Sequence, residues 1–188
     1  MIADKLRILI CIFFTSSILL TSSKVAAMGL FDFFTIHVFS DVSGVVTFKG
    51  EPVEGVKIIR TADHEEDKVY TDATTTDKDG KFSFKGISTF SLRPIMMGTI
   101  IRQKIVIKYQ GMEYLAWETV KGNNYKYGEL NDENVENPVK LHLFCELTNP
   151  QDELTFINFK YVNKGVIYGL CRWDGWEKLA TEKYREEI

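Results

Sequence analysis

The stretch VSGVVTFKGEPVEGVKI, residues 42–58, constrains the fold of this chain more than any other segment. Runs rich in β-branched residues flank a short segment that holds Gly50, Pro52 and Gly55. Proline fixes its own φ angle and glycine accepts positive φ angles, so this composition is typical of a turn. The stretch therefore predicts a strand, a turn and a second strand, and its glycines do not indicate a phosphate-binding loop.

Turn and strand signals of the same kind return along the chain. The sequence DKDG places Asp77 and Gly80 in a tight turn, with charge at its tip and a glycine free to adopt positive φ. Residues 100–109 and 112–120 predict a hairpin, and residues 139–147 alternate between apolar and polar side chains. Altogether the pattern predicts seven to nine short strands, which is typical of an all-β sandwich.

The C-terminal part of the chain also carries helix signals. TNPQDEL reads as a helix start, with Asn149 as the cap and Pro150 at the first helical position. DGWEKLATEKYREEI, residues 174–188, predicts a short C-terminal helix that begins with a capping box.

The first 27 residues differ from the rest in composition. Lys5 and Arg7 precede the apolar run ILICIFFTSSILL, and small residues follow it up to Ala27. This layout predicts a secretory signal peptide over residues 1–27, with a retained N-terminal anchor as the alternative. If translation starts at Met28 instead, we expect a cytoplasmic protein.

Cleavage after the signal peptide would leave residues 28–188 as a single β-sandwich domain with no stable membrane span. Its core motif spans residues 42–87 and its C-terminal extension spans residues 148–188. The mature chain then keeps only Cys145 and Cys171, which predict a disulfide in an exported protein. Two buried free thiols are the alternative, since cysteine is among the most buried residue types.

The charge of the chain bears on its partners. Lysine and arginine number 23 against 26 acidic residues, which gives a formal net charge of −3. The sequence contains no block of basic residues, so its charge does not indicate nucleic-acid binding.

Two segments carry a resemblance to a known family. VSGVVTFKGEPVEGVKI, followed by TTTDKDGKFSFKGI, resembles the carboxypeptidase-regulatory-like, or transthyretin-like, β-sandwich family. The matching positions are Gly50, Pro52, Gly55, Thr76, Gly80, Phe82 and Phe84. The resemblance implies a Greek-key, prealbumin-type sandwich, but a shared fold does not carry a shared function.

A second resemblance covers most of the mature chain. The segments MGLFDFF, VFSDVSGVV, QKIVIKYQGMEYLAWETVKGN and CELTN are similar to a small bacterial exported family of uncharacterised function built around the same sandwich. Some small exported proteins of this kind act as immunity proteins for secreted antibacterial effectors, and the resemblance implies no enzymatic activity.

An acidic group lies between two predicted strands. It contains Asp63, Glu65, Glu66 and Asp67. A solvated loop tip is the simplest interpretation, and a docking patch for a basic partner is the alternative, because clustered charge steers encounter.

A long polar segment, Lys121–Pro138, carries Tyr125 and Tyr127 among asparagines and glycines. This composition is typical of binding loops, with a flexible connector as the alternative.

Tyr109, Tyr114 and Trp117 flank the predicted hairpin, and core packing explains at least one of its faces. Exposed aromatic residues on the other face would suggest a sugar- or protein-binding surface, and loss of glycan binding on mutation of Trp117 or Tyr125 would favour the former.

No catalytic set is evident in the sequence. His37, His64 and His142 lie in different segments and lack the spacing of a metal motif, so a metal site would need distant strands to converge. We therefore expect a protein without a cofactor or metal. The sequence favours a non-enzymatic periplasmic module that binds another protein, such as an immunity protein that occludes an effector. The alternatives are an envelope structural or carbohydrate-binding accessory domain, and a cytosolic binding protein.

Overall fold

The structure, a computed structural model, describes residues 34–64, 68–90, 100–122, 126–130, 138–158, 163–174 and 176. The predicted signal peptide, residues 1–27, lies outside these residues, as does nearly all of the predicted C-terminal helix.

All elements that the described residues form are strands, which confirms the all-β class. They are β1 (Thr35–Phe39), β2 (Val42–Phe48), β3 (Glu51–Pro52), β4 (Lys57–His64), β5 (Lys68–Thr75), β6 (Lys81–Phe84), β7 (Ile87–Phe90), β8 (Ile101–Tyr109), β9 (Met112–Lys121), β10 (Leu141–Glu146), β11 (Asp152–Asn158), β12 (Asn163–Gly169) and β13 (Arg172–Trp173). These thirteen strands exceed the predicted seven to nine, partly because β3 and β13 have two residues each and carry no readable alternation.

The strands form three sheets. Sheet A pairs β1 with β7, sheet B has the order β13-β10-β2-β3 with β6 also paired to β2, and sheet C has the order β11-β12-β9-β8-β4-β5. Within sheet B, β2 and β10 run parallel although about 100 residues separate them, whereas every other pairing of known register is antiparallel.

One predicted element is wrong. The segment after Asn149 and Pro150 was expected to start a helix, but β11 begins at Asp152. The backbone N–H of Asn149 donates to the carbonyl of Glu146 in a turn, and β11 then pairs with β12 along its whole length. The ladder between these two strands outweighs a local helix-start signal, because helix capping is a weak preference compared with a full set of strand hydrogen bonds.

The turn residues take the conformations that their types permit. Lys49 and Gly50 join β2 to β3 with φ angles of 55° and 84°, the geometry of a two-residue hairpin turn. Gly55 and Gly80 also have positive φ, at 71° and 72°. A Cβ at Gly80 would lie 2.5 Å from the carbonyl oxygen of Val46, so both conformation and space require glycine there.

Sheets B and C contribute to one hydrophobic core. Trp117 of β9 packs edge-on against Trp173 of β13, with ring centres 5.5 Å apart, and Phe48 of β2 lies 5.6 Å from Tyr109 of β8. Trp117 is fully buried, so it belongs to the core-packing face of the hairpin and is not part of an exposed carbohydrate-binding surface.

The chain divides into two compact units. The first comprises residues 1–35 and 90–92, in which the rings of Phe34 and Phe90 lie 5.7 Å apart. The second comprises residues 36–89 and 93–188 and holds the core and the candidate site. The domain boundaries at residues 28–188 stay a prediction.

Candidate functional site

A group of polar side chains lies buried at the end of the second unit. Ser40, Gln103, Lys121 and Glu129 form this group, hereafter the Glu129 cluster. Such a group needs an explanation, because burying polar atoms costs free energy unless hydrogen bonds replace the lost water.

Strand alternation places two members of the cluster. On β8, Gln103 shares the inward face with Ile101 and Ile105, and on β9, Lys121 shares it with Thr119. Ser40 follows directly after β1, and Glu129 comes from the turn at residues 126–130.

The carboxylate of Glu129 is the centre of the cluster. Its Oε1 accepts hydrogen bonds from the Ser40 backbone N–H at 3.0 Å and from Gln103 Nε2 at 2.9 Å. Its Oε2 accepts from Ser40 Oγ at 2.7 Å. Lys121 Nζ lies 3.7 Å from Oε1 and donates to the His37 carbonyl at 2.8 Å.

Burial controls the charge of Lys121. Its side chain is 0% exposed and that of Glu129 is 2% exposed. Loss of water lowers the pKa of Lys121, and the nearby Glu129 carboxylate opposes this shift without reversing it. Lys121 is therefore closer to its neutral form than a surface lysine is.

The cluster fixes the turn that carries Tyr127. The backbone N–H of Tyr127 donates to Ser40 Oγ at 2.7 Å, and the Tyr127 hydroxyl donates to Asp41 Oδ2 at 3.4 Å. Lys126 forms an ion pair with the same Asp41 oxygen at 3.4 Å. The part of the Lys121–Pro138 loop that the structure describes is thus bound to the sandwich rather than loosely attached.

The charges around Asp41 are mutually stabilised. A backbone hydrogen bond from Gly86, together with Lys126, lowers the pKa of Asp41. The hydrogen bond to Asp41 in turn raises the pKa of Lys126. Both groups are half-exposed, so this pair can meet a partner while staying charged at neutral pH.

The predicted acidic patch has one described member. Asp63, at the end of β4, forms an ion pair with Arg102 of β8 at 3.5 Å on the outer face of sheet C. Glu65, Glu66 and Asp67 lie outside the described residues, and so does Tyr125 of the other predicted patch.

Arg60 is a buried charge that the sequence patterns did not single out. Its Nε and Nη2 donate to Asp72 at 3.0 and 2.6 Å, and Nη2 also donates to the Lys85 carbonyl at 2.8 Å. The guanidinium lies 5.0 Å from the ring centre of Phe39 and 4.7 Å from that of Phe84. Through these contacts Arg60 stabilises the packing of the strands around it. The alternation of β4 places Arg60 on the inward face, and this is the signal that could have identified it.

Glu146 at the end of β10 is a carboxylate that the sequence patterns also did not single out. It accepts hydrogen bonds from the backbone N–H groups of Lys49 and Gly50, each at 2.9 Å, and from Thr47 Oγ1 at 2.8 Å. Thr148 donates to it through both its backbone and its hydroxyl. Burial raises the pKa of Glu146, but the hydrogen bonds from Thr148, Gly50 and Thr47 outweigh it and hold the pKa at about 2.

Cys145 and Cys171 form a disulfide, as predicted. Both residues are buried in the core, and Cys145 directly precedes Glu146 on β10. Disulfides form and persist in oxidising compartments, so this bond indicates an exported environment.

Two aromatic side chains stand on the outer sheet faces. Phe144 of β10 is 44% exposed, with Val45 and Arg172 as its neighbours across sheet B. Tyr168 of β12 is also 44% exposed and lies opposite Glu118 of sheet C.

His37 and His142 make separate polar contacts. His37 Nδ1 lies 3.0 Å from Ser88 Oγ, and His142 Nδ1 lies 2.8 Å from Ser43 Oγ. Across the part of the chain that the structure describes, no three histidine, cysteine or acidic side chains converge as a metal site would require. In that same part, no helix has the length and apolar character needed to cross a bilayer.

These observations define an all-β protein with a disulfide and a buried polar cluster that holds a surface turn. Residues 42–150 match the family described as "Domain of unknown function (DUF6795)", and the chain belongs to this family. No curated protein and no solved structure matches the chain.

Proposed function

We propose that this chain is an exported, non-catalytic module that binds another protein in the periplasm. Its sharpest form is an immunity protein that blocks a secreted antibacterial effector by covering the effector's active site. We also propose that its strands follow the Greek-key order of the carboxypeptidase-regulatory-like, or transthyretin-like, sandwich.

The observation that carries the proposal is the anchoring of the Lys126–Leu130 turn. Ser40 and Glu129 fix its backbone, so the turn pays little conformational entropy when a partner binds. Lys126 is exposed and Tyr127 is partly exposed, and tyrosine is among the residues that contribute most to protein interfaces. The disulfide supports the compartment.

The test is co-expression with the product of the adjacent gene, exported to the periplasm. We expect that product to be toxic alone, to be tolerated with this protein, and to co-purify with it. Tyr127→Ala should weaken the complex by about 30-fold, since truncation of a central interface tyrosine costs about 2 kcal/mol. Titration by calorimetry or interferometry gives the affinity.

Tyr168→Ala is the matched control, because it removes the same side chain from the outer face of sheet C. It should leave the affinity unchanged. A neighbouring product that is harmless in the periplasm would contradict the immunity function, and equal loss from both tyrosine variants would contradict the assigned surface.

The second candidate function is a carbohydrate-binding accessory domain of the envelope. The exposed rings of Phe144 and Tyr168 favour it, since sugars pack against exposed aromatic rings. Sedimentation with isolated cell wall that Phe144→Ala abolishes and Tyr127→Ala does not would support this candidate over the first.

A further inference from the structure

One carboxylate oxygen in the core contacts two side-chain nitrogens of different chemistry. Glu129 Oε1 lies 2.9 Å from the amide nitrogen of Gln103 and 3.7 Å from the amine of Lys121. The two side chains belong to adjacent strands, in which Lys121 pairs with Ile101 and Gln103 pairs with Thr119. They are therefore diagonal neighbours on one inward face, within reach of each other.

We propose that Lys121 and Gln103 become joined by an intramolecular isopeptide bond, with Glu129 as the group that carries the proton. The three side chains together form a self-processing site that the protein uses once, after folding.

Burial favours the reaction in two ways. The Lys121 side chain is 0% exposed, and loss of water lowers its pKa, so the neutral amine that can attack a carbonyl carbon is more accessible than on the surface. The packed core also holds the amine and the amide beside the same Glu129 oxygen, which replaces a bimolecular encounter by an intramolecular step.

The amide of Gln103 is incompletely satisfied. Its nitrogen donates to Glu129 and to the Val38 carbonyl at 2.8 Å, but its Oε1 accepts no hydrogen bond from the described residues. A buried amide oxygen without a donor is uncommon and costs free energy. Conversion of the amide therefore gives up no hydrogen bond to that oxygen.

The reaction balances without any other reagent. Lys121 Nζ attacks Gln103 Cδ and forms the new C–N bond, while the Cδ–Nε2 bond breaks. Glu129 takes a proton from the attacking nitrogen and delivers it to the departing Nε2, which leaves as ammonia. Glu129 Oε1 already accepts a hydrogen bond from Gln103 Nε2 at 2.9 Å, and Lys121 Nζ, at 3.7 Å, must approach the same oxygen by about 0.5 Å to reach the distance that proton transfer requires.

Ser40 is a positioning residue in this scheme. Its Oγ and backbone N–H hold the two oxygens of Glu129 at 2.7 and 3.0 Å. The bond would join β8 to the end of β9, at the point where the Lys121–Pro138 loop leaves the sandwich.

The deciding measurement is the intact mass of the exported, purified protein. After allowance for the signal peptide and the disulfide, we expect a mass about 17 Da below that of the sequence, the loss of one ammonia. Proteolysis and fragmentation should yield one branched peptide that contains Gln103 and Lys121. A mass equal to that of the sequence would overturn the proposal.

Two other results would also overturn it. A loss of about 18 Da would indicate water released by a Lys121–Glu129 bond, and ammonia loss located at any other residue would indicate unrelated chemistry. Lys121→Arg keeps the positive charge but lacks the amine, so its mass should equal that of its own sequence. Lys104→Arg, on the outer face of the same hairpin, should retain the loss. These mass measurements do not require the variants to be as stable as the wild type.

Discussion

Glu129 and Glu146 each hold a turn in place through hydrogen bonds to their carboxylates, in two regions of the molecule. Each carboxylate gathers several hydrogen bonds from backbone N–H groups and hydroxyls of residues far away in sequence. Glu146 does so at the surface, where water and donors keep it ionised with a pKa of about 2. Glu129 does so in the core and has the additional support of Lys121.

The difference teaches where a carboxylate needs a counter-charge. At the surface, solvent screens the charge, so neutral donors suffice to hold a turn. In the core, an ion without a partner is strongly destabilising, so a cation is buried with it. The Glu129 region should therefore be fragile to the loss of one partner, and the Glu146 region tolerant.

Lys121→Met should give the largest loss of stability. In the chain before any Lys121–Gln103 bond forms, the change leaves Glu129 buried without its cation, and breaking a buried pair from one side costs about 3–5 kcal/mol. The reference is therefore wild-type protein whose intact mass shows that the bond is absent. Urea unfolding followed by circular dichroism measures the loss. Lys104→Met is the control, because it removes a lysine from an exposed pair with Glu118 and should cost about 0.5 kcal/mol.

A double-mutant cycle sharpens this result. Glu129→Leu alone should also be destabilising, while the pair Lys121→Met and Glu129→Leu should lose less than the sum of the single changes. Additive losses would contradict the view that these residues act as a unit.

Removal of the disulfide, whose Cys145 directly precedes Glu146, should give the next largest effect. Cys145→Ala with Cys171→Ala opens a loop with a sequence separation of 26 residues, which should cost about 3 kcal/mol. Thermal unfolding with and without reductant checks this: reductant should lower the melting temperature of the wild type and leave that of the variant unchanged.

Ser40→Ala should have an intermediate effect. It removes the donor to Glu129 Oε2 and the acceptor of the Tyr127 N–H, so we expect a loss of about 1–2 kcal/mol. Amide exchange should accelerate at Tyr127 more than in β8. Equal acceleration in both would argue against a local role in anchoring the turn.

Glu146→Gln should give the smallest effect and a defined pH dependence. The folded-state pKa of Glu146 is about 2, below its ordinary value of 4.5, so its stabilisation is present above pH 4.5 and is lost as the pH falls towards 2. Because the group is partly exposed, the gain at neutral pH should not exceed about 1 kcal/mol. The stability difference between wild type and variant should therefore shrink between pH 5 and pH 2.5. A difference that stays constant with pH would contradict this account.

Much of the fold follows from local patterns. Alternation in residues 100–109, 112–120 and 139–147 predicts β8, β9 and β10 to within two residues at each end, because a strand repeats every two residues whatever it packs against. The helix predicted after Asn149 failed, because pairing of that segment with the next strand, β12, decided its conformation.

The candidate site was less accessible to sequence reasoning. Strand alternation places Gln103 and Lys121 on the inward faces of β8 and β9, and this pattern could have identified them as unusual polar residues at buried positions. Glu129 has no such signal, because it lies in a loop without periodicity and meets Ser40 across 89 positions of sequence.

The sequence by itself predicted the all-β class, the hairpin turns and the Cys145–Cys171 disulfide, since strand period and turn glycines are local features and cysteines can be counted. Only the tertiary structure decided which carboxylate enters the core, which lysine accompanies it and which residues Glu146 holds. The physical reason is that buried charge is tolerated only where the folded chain supplies donors and counter-charge, and these come from strands that no local pattern connects.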